Sequence, residues 1–213
     1  MVQEYTEIKD KIEKILDFWL PEEPDDRWAE RVFTDIGKGA GKEFYKFLVT
    51  PLRELLYRGG KRWRPLLMSL VCETLGGGDS AIPLSPIVEF SHTASLIHDD
   101  IEDESDERRG LPSVHKMFGV DVAINAGSFL YFLASACIET CGLKNKELIY
   151  KDWMDGLRRL HLGQTMDIMW HRNITYVPAM HEYFLMSSLK TGGLARLATV
   201  LGAHAAGAPL EAI

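Results

Sequence analysis

From Val122 to Ile138 the chain carries no charged residue over seventeen positions, and Asp121 and Glu139 bound the stretch. A helix that is apolar all round belongs in the middle of a sizeable helical protein or in a bilayer. A membrane span needs about 20 apolar residues, and this stretch contains Asn125, Gly127, Ser128 and Ser135. It therefore reads as a central core helix over 120–141, with no membrane span. The rest of the chain must supply helices to pack around it.

Proline and glycine punctuation lays those helices out. Ile8, Ile12, Ile15, Leu16 and Trp19 mark a helix over 5–19, which Pro21 and Pro24 break. A second helix runs from Asp26 to Ile36, ended by Gly37, Gly39 and Gly41. A third runs from Glu43 to Tyr57, with Pro51 as a kink. Gly59-Gly60 interrupts the pattern, and Pro65 suits the first turn of a helix that ends at Gly76-Gly77-Gly78. Pro83 or Pro86 opens a helix reaching about Asp103. Residues 104–112 read as a loop, 113–118 as a short helix and 144–170 as a long one. Pro178 starts a last helix, which Gly192-Gly193 bends. No segment reads as a strand, a repeat or a linker. The fold class is all-α, in one domain over 1–213.

Charge and cysteine content narrow the partners. The formal net charge is −7, which disfavours nucleic acid. Cys72, Cys137 and Cys141 form an odd set without a CxxC pair. They read as reduced packing thiols of a cytoplasmic protein. The charged, amphipathic N-terminus has no signal-peptide core.

Chemistry concentrates after the apolar part of the 86–103 helix. Asp99, Asp100, Glu102 and Asp103 fall within five residues, and Arg108-Arg109-Gly110 follows. Such crowding weakens a helix unless cations arrive. Asp99 and Asp103 are one turn apart on a shared face, with Asp100 to the side. Mg²⁺ prefers carboxylate oxygens and often joins one or two of them to substrate phosphates. A solvated acidic helix end is the plainer alternative. Against it, Val88, Phe90, Ala94, Leu96 and Ile97 make the preceding helix apolar, so the carboxylates would edge a cavity.

A second cluster is Gly59-Gly60-Lys61-Arg62-Trp63-Arg64-Pro65. Two glycines free the backbone, and three cations precede a helix start, which itself favours anions. Lysine and arginine suit a metal-free diphosphate pocket, although a basic surface turn has the same composition. Arg108 and Arg109 serve either as charge balance for the acidic run or as one guanidinium for each of two anions. Gly163-Gln164 with Asp167 on one helix, and Lys190-Thr191-Gly192 on the next, gain meaning only if they converge with the rest. His92 and His98 alone read as satisfied helix histidines, and Cys137 and Cys141 as core.

In this order, these motifs resemble the trans-isoprenyl diphosphate synthases, or polyprenyl synthetases, from about residue 43 onward. The resemblance implies a bundle of long antiparallel helices around a central cavity, paired as a homodimer. It implies that Lys61, Arg64, His92 and Arg109 hold the diphosphate of isopentenyl diphosphate. Asp99 and Asp103 would bind Mg²⁺ bridging to an allylic prenyl diphosphate, with Asp100 close by. Arg108, Lys190, Asp167 and Gln164 would complete that allylic site, and Thr191 would lie beside the reacting carbons. The implied activity is a prenyltransferase reaction begun by Mg²⁺-assisted ionisation.

Product length in such enzymes depends on what blocks the cavity below the aspartates. Ala94, Ser95 and Ser91 are small, and in that family a bulky aromatic near Ala94 stops growth at the farnesyl length. Its absence implies geranylgeranyl diphosphate or longer, with Phe118, Phe129 and Tyr131 as candidates for a deeper floor. The family also carries a second aspartate-rich motif after the Lys-Thr motif. None appears before Ile213, so the chain reads as C-terminally incomplete. The alternatives are a non-catalytic regulatory subunit of a prenyl diphosphate synthase, and a class I terpene synthase, which needs no second diphosphate pocket.

Overall fold

Helices carry nearly all of the order in this chain. A computed structural model describes residues 2–34, 39–209 and 211. They form two compact units, Met1–Trp63 with Ile82–Gly142 and Arg64–Ala81 with Leu143–Ile213.

The first unit opens with α1 (Val2–Trp19) and α2 (Asp26–Phe33). The Asp25 carboxylate accepts from the Trp28 backbone N–H at 2.9 Å and caps α2. This helix is shorter than its pattern suggests. Thr34 takes a left-handed backbone, φ 58°, directly after Phe33. Ile36 and Gly37, where the sequence placed the end, lie outside the described residues. The Trp28 indole is buried and donates to the Trp19 carbonyl at 2.8 Å, which ties α2 to α1. Next comes α3 (Lys42–Leu56), which runs on through a buried Pro51.

The centre of this unit is α5 (Ser85–Glu102) packed along α7 (Val120–Thr140). Pro86 sits in the first turn of α5, where its missing N–H costs nothing. Helix α7 buries Leu130, Leu133, Ala134, Cys137 and Ile138, the larger of which contribute roughly 1.5–3 kcal/mol each. Gly127 lets the two helices approach. A Cβ there would stand 2.7 Å from His98 Cε1 and 3.2 Å from Ile97 Cγ2. The all-round burial expected of α7 is not what the chain shows. Val120, Ile124 and Phe132 form an exposed stripe, with Phe132 72% exposed. By length and composition α7 is also long and apolar enough to cross a membrane.

Between α5 and α7 the expected loop contains two short strands, β1 (Glu107–Arg108) and β2 (Leu111–Pro112), followed by α6 (Val114–Phe118). The strands pair antiparallel, Arg108 opposite Leu111. Arg109 and Gly110 turn the chain with φ values of 56° and 78°, the positive pair that a tight two-residue hairpin needs. Two-residue strands are too short to leave an alternating pattern.

The second unit contains α4 (Trp63–Thr74), which begins at the unit's edge, then α8 (Lys146–Arg172), α9 (Met180–Ser187) and α10 (Gly193–Ala205). The bend expected at Gly192-Gly193 is a π-helical turn over Ser188–Gly192. His204 Nε2 meets Asp152 Oδ2 at 2.7 Å and ties α10 to α8.

Candidate active site

The acidic run closes α5 against its own dipole. Four carboxylates at a helix C-terminus face the negative end of the helix dipole, and each loses about 0.3–1 kcal/mol there. The end is held by backbone bonds. Ser105 N–H donates to Asp100 O at 2.9 Å and Glu104 N–H to Ile101 O at 3.2 Å. This is a Schellman cap, with Glu104 instead of glycine at φ 52°. A strained, self-repelling helix end is one that stability alone does not favour.

Asp99 and Asp103 lie one turn apart as the spacing requires, with the Asp103 N–H bonded to Asp99 O at 2.9 Å. Asp103 is exposed and the Asp99 side chain is 17% exposed. Asp100 is more than a bystander. It is fully buried, and its Oδ1 accepts from Arg108 Nε at 2.8 Å and Nη2 at 2.5 Å. Arg108 Nη2 also reaches Asp99 Oδ2 at 3.2 Å. The Asp100 carboxylate holds Arg108 above its ordinary pKa against the pull of burial. Asp100 Oδ2 is buried without a hydrogen-bond partner.

The two arginines part at the hairpin, with Arg108 on β1 and Arg109 in the turn. Arg108 turns to the aspartates. Arg109 Nη1 donates to the Gly59 carbonyl at 2.7 Å. Burial pulls Arg109 below its ordinary pKa. Glu89 opposes that pull, and Arg62, Arg108 and Arg58 add to it. Arg58 fixes the hairpin, donating to Pro112 O at 2.7 Å and Arg108 O at 3.2 Å.

Of the three cations after Gly60, Lys61 is exposed, Arg64 is half-buried at the start of α4, and Arg62 is buried. Arg62 does not face solvent. Its Nε and Nη2 bond Glu13 at 2.9 and 3.2 Å, and Nη1 bonds Glu89 at 3.0 Å. No short-range pattern marks this link, since Glu13 and Glu89 are 49 and 27 residues away. His92 lies one turn after Glu89 on the same face of α5 and is half-buried. His98 is the satisfied histidine expected. Its Nδ1 lies 2.9 Å from the Ala94 carbonyl, so that nitrogen carries the proton, and Nε2 lies 3.3 Å from Ser128 Oγ. Its ring stacks on Tyr131 at 5.8 Å.

The candidate length-setting residues divide. Ser91 and Ala94 are fully buried, and Ser95 is half-buried with its Oγ donating to His92 O at 2.8 Å. Ser91 and Ser95 share the Asp99 face. Ala94, four residues before His98, shares the face that meets Gly127. Phe129 stacks on Phe33 at 5.6 Å.

In the second unit, Gln164 is buried on α8 and Asp167 lies on the next turn. Asp167 Oδ2 accepts from Lys190 Nζ at 2.5 Å. Lys190 and the exposed Thr191 ride on the π turn. Such turns gather at functional positions. Gly163 gives that turn its room, because a Cβ there would come within 2.5 Å of Lys190 N. Asp167 and Lys190 are thus joined, and Gly163-Gln164 packs against the turn that carries Lys190 and Thr191.

Among the described residues no three or more His, Cys, Asp or Glu side chains are grouped to hold a metal by themselves. Two carboxylates one turn apart fit an ion such as Mg²⁺, which keeps several waters and takes its remaining ligands from phosphate.

A helical fold with a DDxxD helix end, a basic glycine loop and a Lys-Thr turn defines a class of isoprenoid synthase. Residues 45–213 match the polyprenyl synthetase family, and the chain belongs to it. It is 38% identical over 164 residues to a geranylgeranyl pyrophosphate synthase of Apiospora sacchari, covering 76% of this chain and 48% of that protein. A geranylfarnesyl diphosphate synthase of Aeropyrum pernix is 38% identical over 165 residues, covering 74% of this chain and 51% of its own. The crystal structure of a geranylgeranyl pyrophosphate synthetase from Geoglobus acetivorans superposes with a TM-score of 0.78 at 28% identity, covering 95% of this chain and 61% of that one. The chain spans about half the length of the curated relatives it matches.

Proposed function

We propose that the protein is a trans-prenyltransferase that condenses isopentenyl diphosphate with an allylic prenyl diphosphate. The observation that carries this is the end of α5, where carboxylates crowd against the helix dipole and a buried Asp100 oxygen has no partner. Family membership and the names of its relatives support the same reading.

In this reading Lys61, Arg64, His92 and Arg109 hold the diphosphate of isopentenyl diphosphate through charge and forked hydrogen bonds. Asp99 and Asp103 hold Mg²⁺, which when bound neutralises charge on the allylic diphosphate. Arg108 and Lys190 add cationic charge where the leaving group gathers electrons. Asp167 orients the Lys190 ammonium, Gln164 completes the allylic site beside it, and Thr191 lies beside the reacting carbons.

The allylic C–O bond breaks and its electron pair leaves with diphosphate, which the cationic side chains stabilise. The double bond of isopentenyl diphosphate attacks the allylic cation and forms the new C–C bond. A proton leaves the adjacent carbon to the departed diphosphate. Apolar walls keep water from the cation.

The small Ser91, Ala94 and Ser95 support a product of geranylgeranyl length or longer. The exposed stripe Val120, Ile124 and Phe132 on α7, with Phe44 and Phe47 on α3, supports a homodimer. A cytoplasmic location fits three free cysteines.

The test is chromatography of products made by the protein expressed from its complete gene, supplied with Mg²⁺, labelled isopentenyl diphosphate and geranyl or farnesyl diphosphate. Labelled prenyl diphosphates of geranylgeranyl length or longer are expected. No labelled product with either primer would overturn the reading.

A further inference from the structure

Three groups hold the glycine loop before α4, two from outside it and one from within. The Arg109 guanidinium donates to Gly59 O at 2.7 Å, and the Tyr5 hydroxyl of α1 donates to Lys61 O at 2.8 Å. Arg62 is the third, and it is the deepest. It is 5% exposed, at φ 49°, a left-handed backbone that a side-chain-bearing residue adopts only when its surroundings impose it. Glu13 of α1 takes two of its nitrogens, Glu89 of α5 takes a third, and Nη2 also bonds the Leu56 carbonyl at the end of α3 at 2.9 Å. Glu89 is 4% exposed. Four of the fork's five N–H donors thus go to carboxylates and a carbonyl. Arg62 is committed to binding the protein itself, unlike its neighbour Lys61, whose side chain is exposed.

We infer that the Glu13–Arg62–Glu89 cluster is a positioning device that presets the Gly59–Lys61 loop to take a diphosphate, with α1 as its strut. This rests on the reading of that loop as the isopentenyl diphosphate site. The physical case has two parts. Arg62 holds the loop backbone in a strained shape that the chain would not keep by itself. It also offsets one of the two negative charges on Glu13 and Glu89, which would otherwise repel an incoming diphosphate beside Lys61 and Arg109 more strongly. Helix α1 precedes the residues 45–213 that match the family, so the strut lies outside the matched segment. Arg62 and the two glutamates touch no reacting atom in this scheme. They act through Lys61, Arg109 and the backbone between them.

The experiment compares the parent protein, expressed from its complete gene, with Arg62→Met and Glu13→Gln in steady-state kinetics for each substrate separately. Arg62→Met should raise KM for isopentenyl diphosphate about tenfold and leave KM for the allylic diphosphate within about twofold. Glu13→Gln, at the half-exposed rim of the cluster, should shift the same KM in the same direction by about threefold. It serves alone if Arg62→Met does not fold. An unchanged KM for isopentenyl diphosphate, or equal changes for both substrates, would overturn the inference. If the parent is inactive, the prenyltransferase reading fails, and calorimetry with inorganic pyrophosphate still decides the cluster. Tighter binding by the parent than by the variants supports it, and equal or absent binding overturns it.

Discussion

At the scale of single residues, Asp100 and Arg108 form the pair with the most at stake. The Asp100 side chain is 1% exposed and the Arg108 side chain 28%. Removing one partner of a buried ion pair leaves an uncompensated charge and costs about 3 kcal/mol. Arg108→Met should therefore lower the melting temperature by roughly 6–12 °C, read by calorimetry. The double variant Arg108→Met with Asp100→Asn should recover most of the loss. Asp99 and Asp103 were legible in the sequence because a four-residue spacing on a helix fixes a shared face. The burial of Asp100 was not legible, because it depends on a hairpin turn at Arg109-Gly110 that swings Arg108 back. The Arg62 links were equally hidden, since nothing local in a chain relates residue 62 to residues 13 and 89.

At the scale of elements, two glycines act as contact points between helices. Gly127→Ala would drive a methyl into the His98 ring and should destabilise the protein by about 1–3 kcal/mol in chemical denaturation. Gly163→Ala meets the backbone of the π turn instead. It should displace Lys190 and Thr191 and reduce kcat/KM about a hundredfold, with a much smaller change in KM for isopentenyl diphosphate. Helix boundaries were legible to within a few residues wherever proline or glycine punctuates the chain, as at Pro65, Gly76 and Pro86. Three features were not. Thr34 ends α2 early by a backbone angle, the hairpin strands are two residues long, and Ser188–Gly192 widens to a π turn without a break in composition.

At the scale of the whole molecule, the exposed apolar stripe of α7 argues for self-association. Phe132→Glu should convert a dimer to a monomer in analytical ultracentrifugation, with no change in helix content by circular dichroism. The all-α class and the ordered motifs were legible because each motif is a short run of neighbours. The exposed side of α7 was not, since an uncharged sequence says that a helix is covered without saying by what. Chemistry remains the central claim. Its most direct test is release of inorganic diphosphate by the protein expressed from its complete gene, given isopentenyl diphosphate and farnesyl diphosphate, first with Mg²⁺ and then with a chelator. Release that requires both substrates and stops with the chelator is predicted. No release with Mg²⁺ present, or release of the same size after Asp99 and Asp103 are both changed to Asn, would contradict the account.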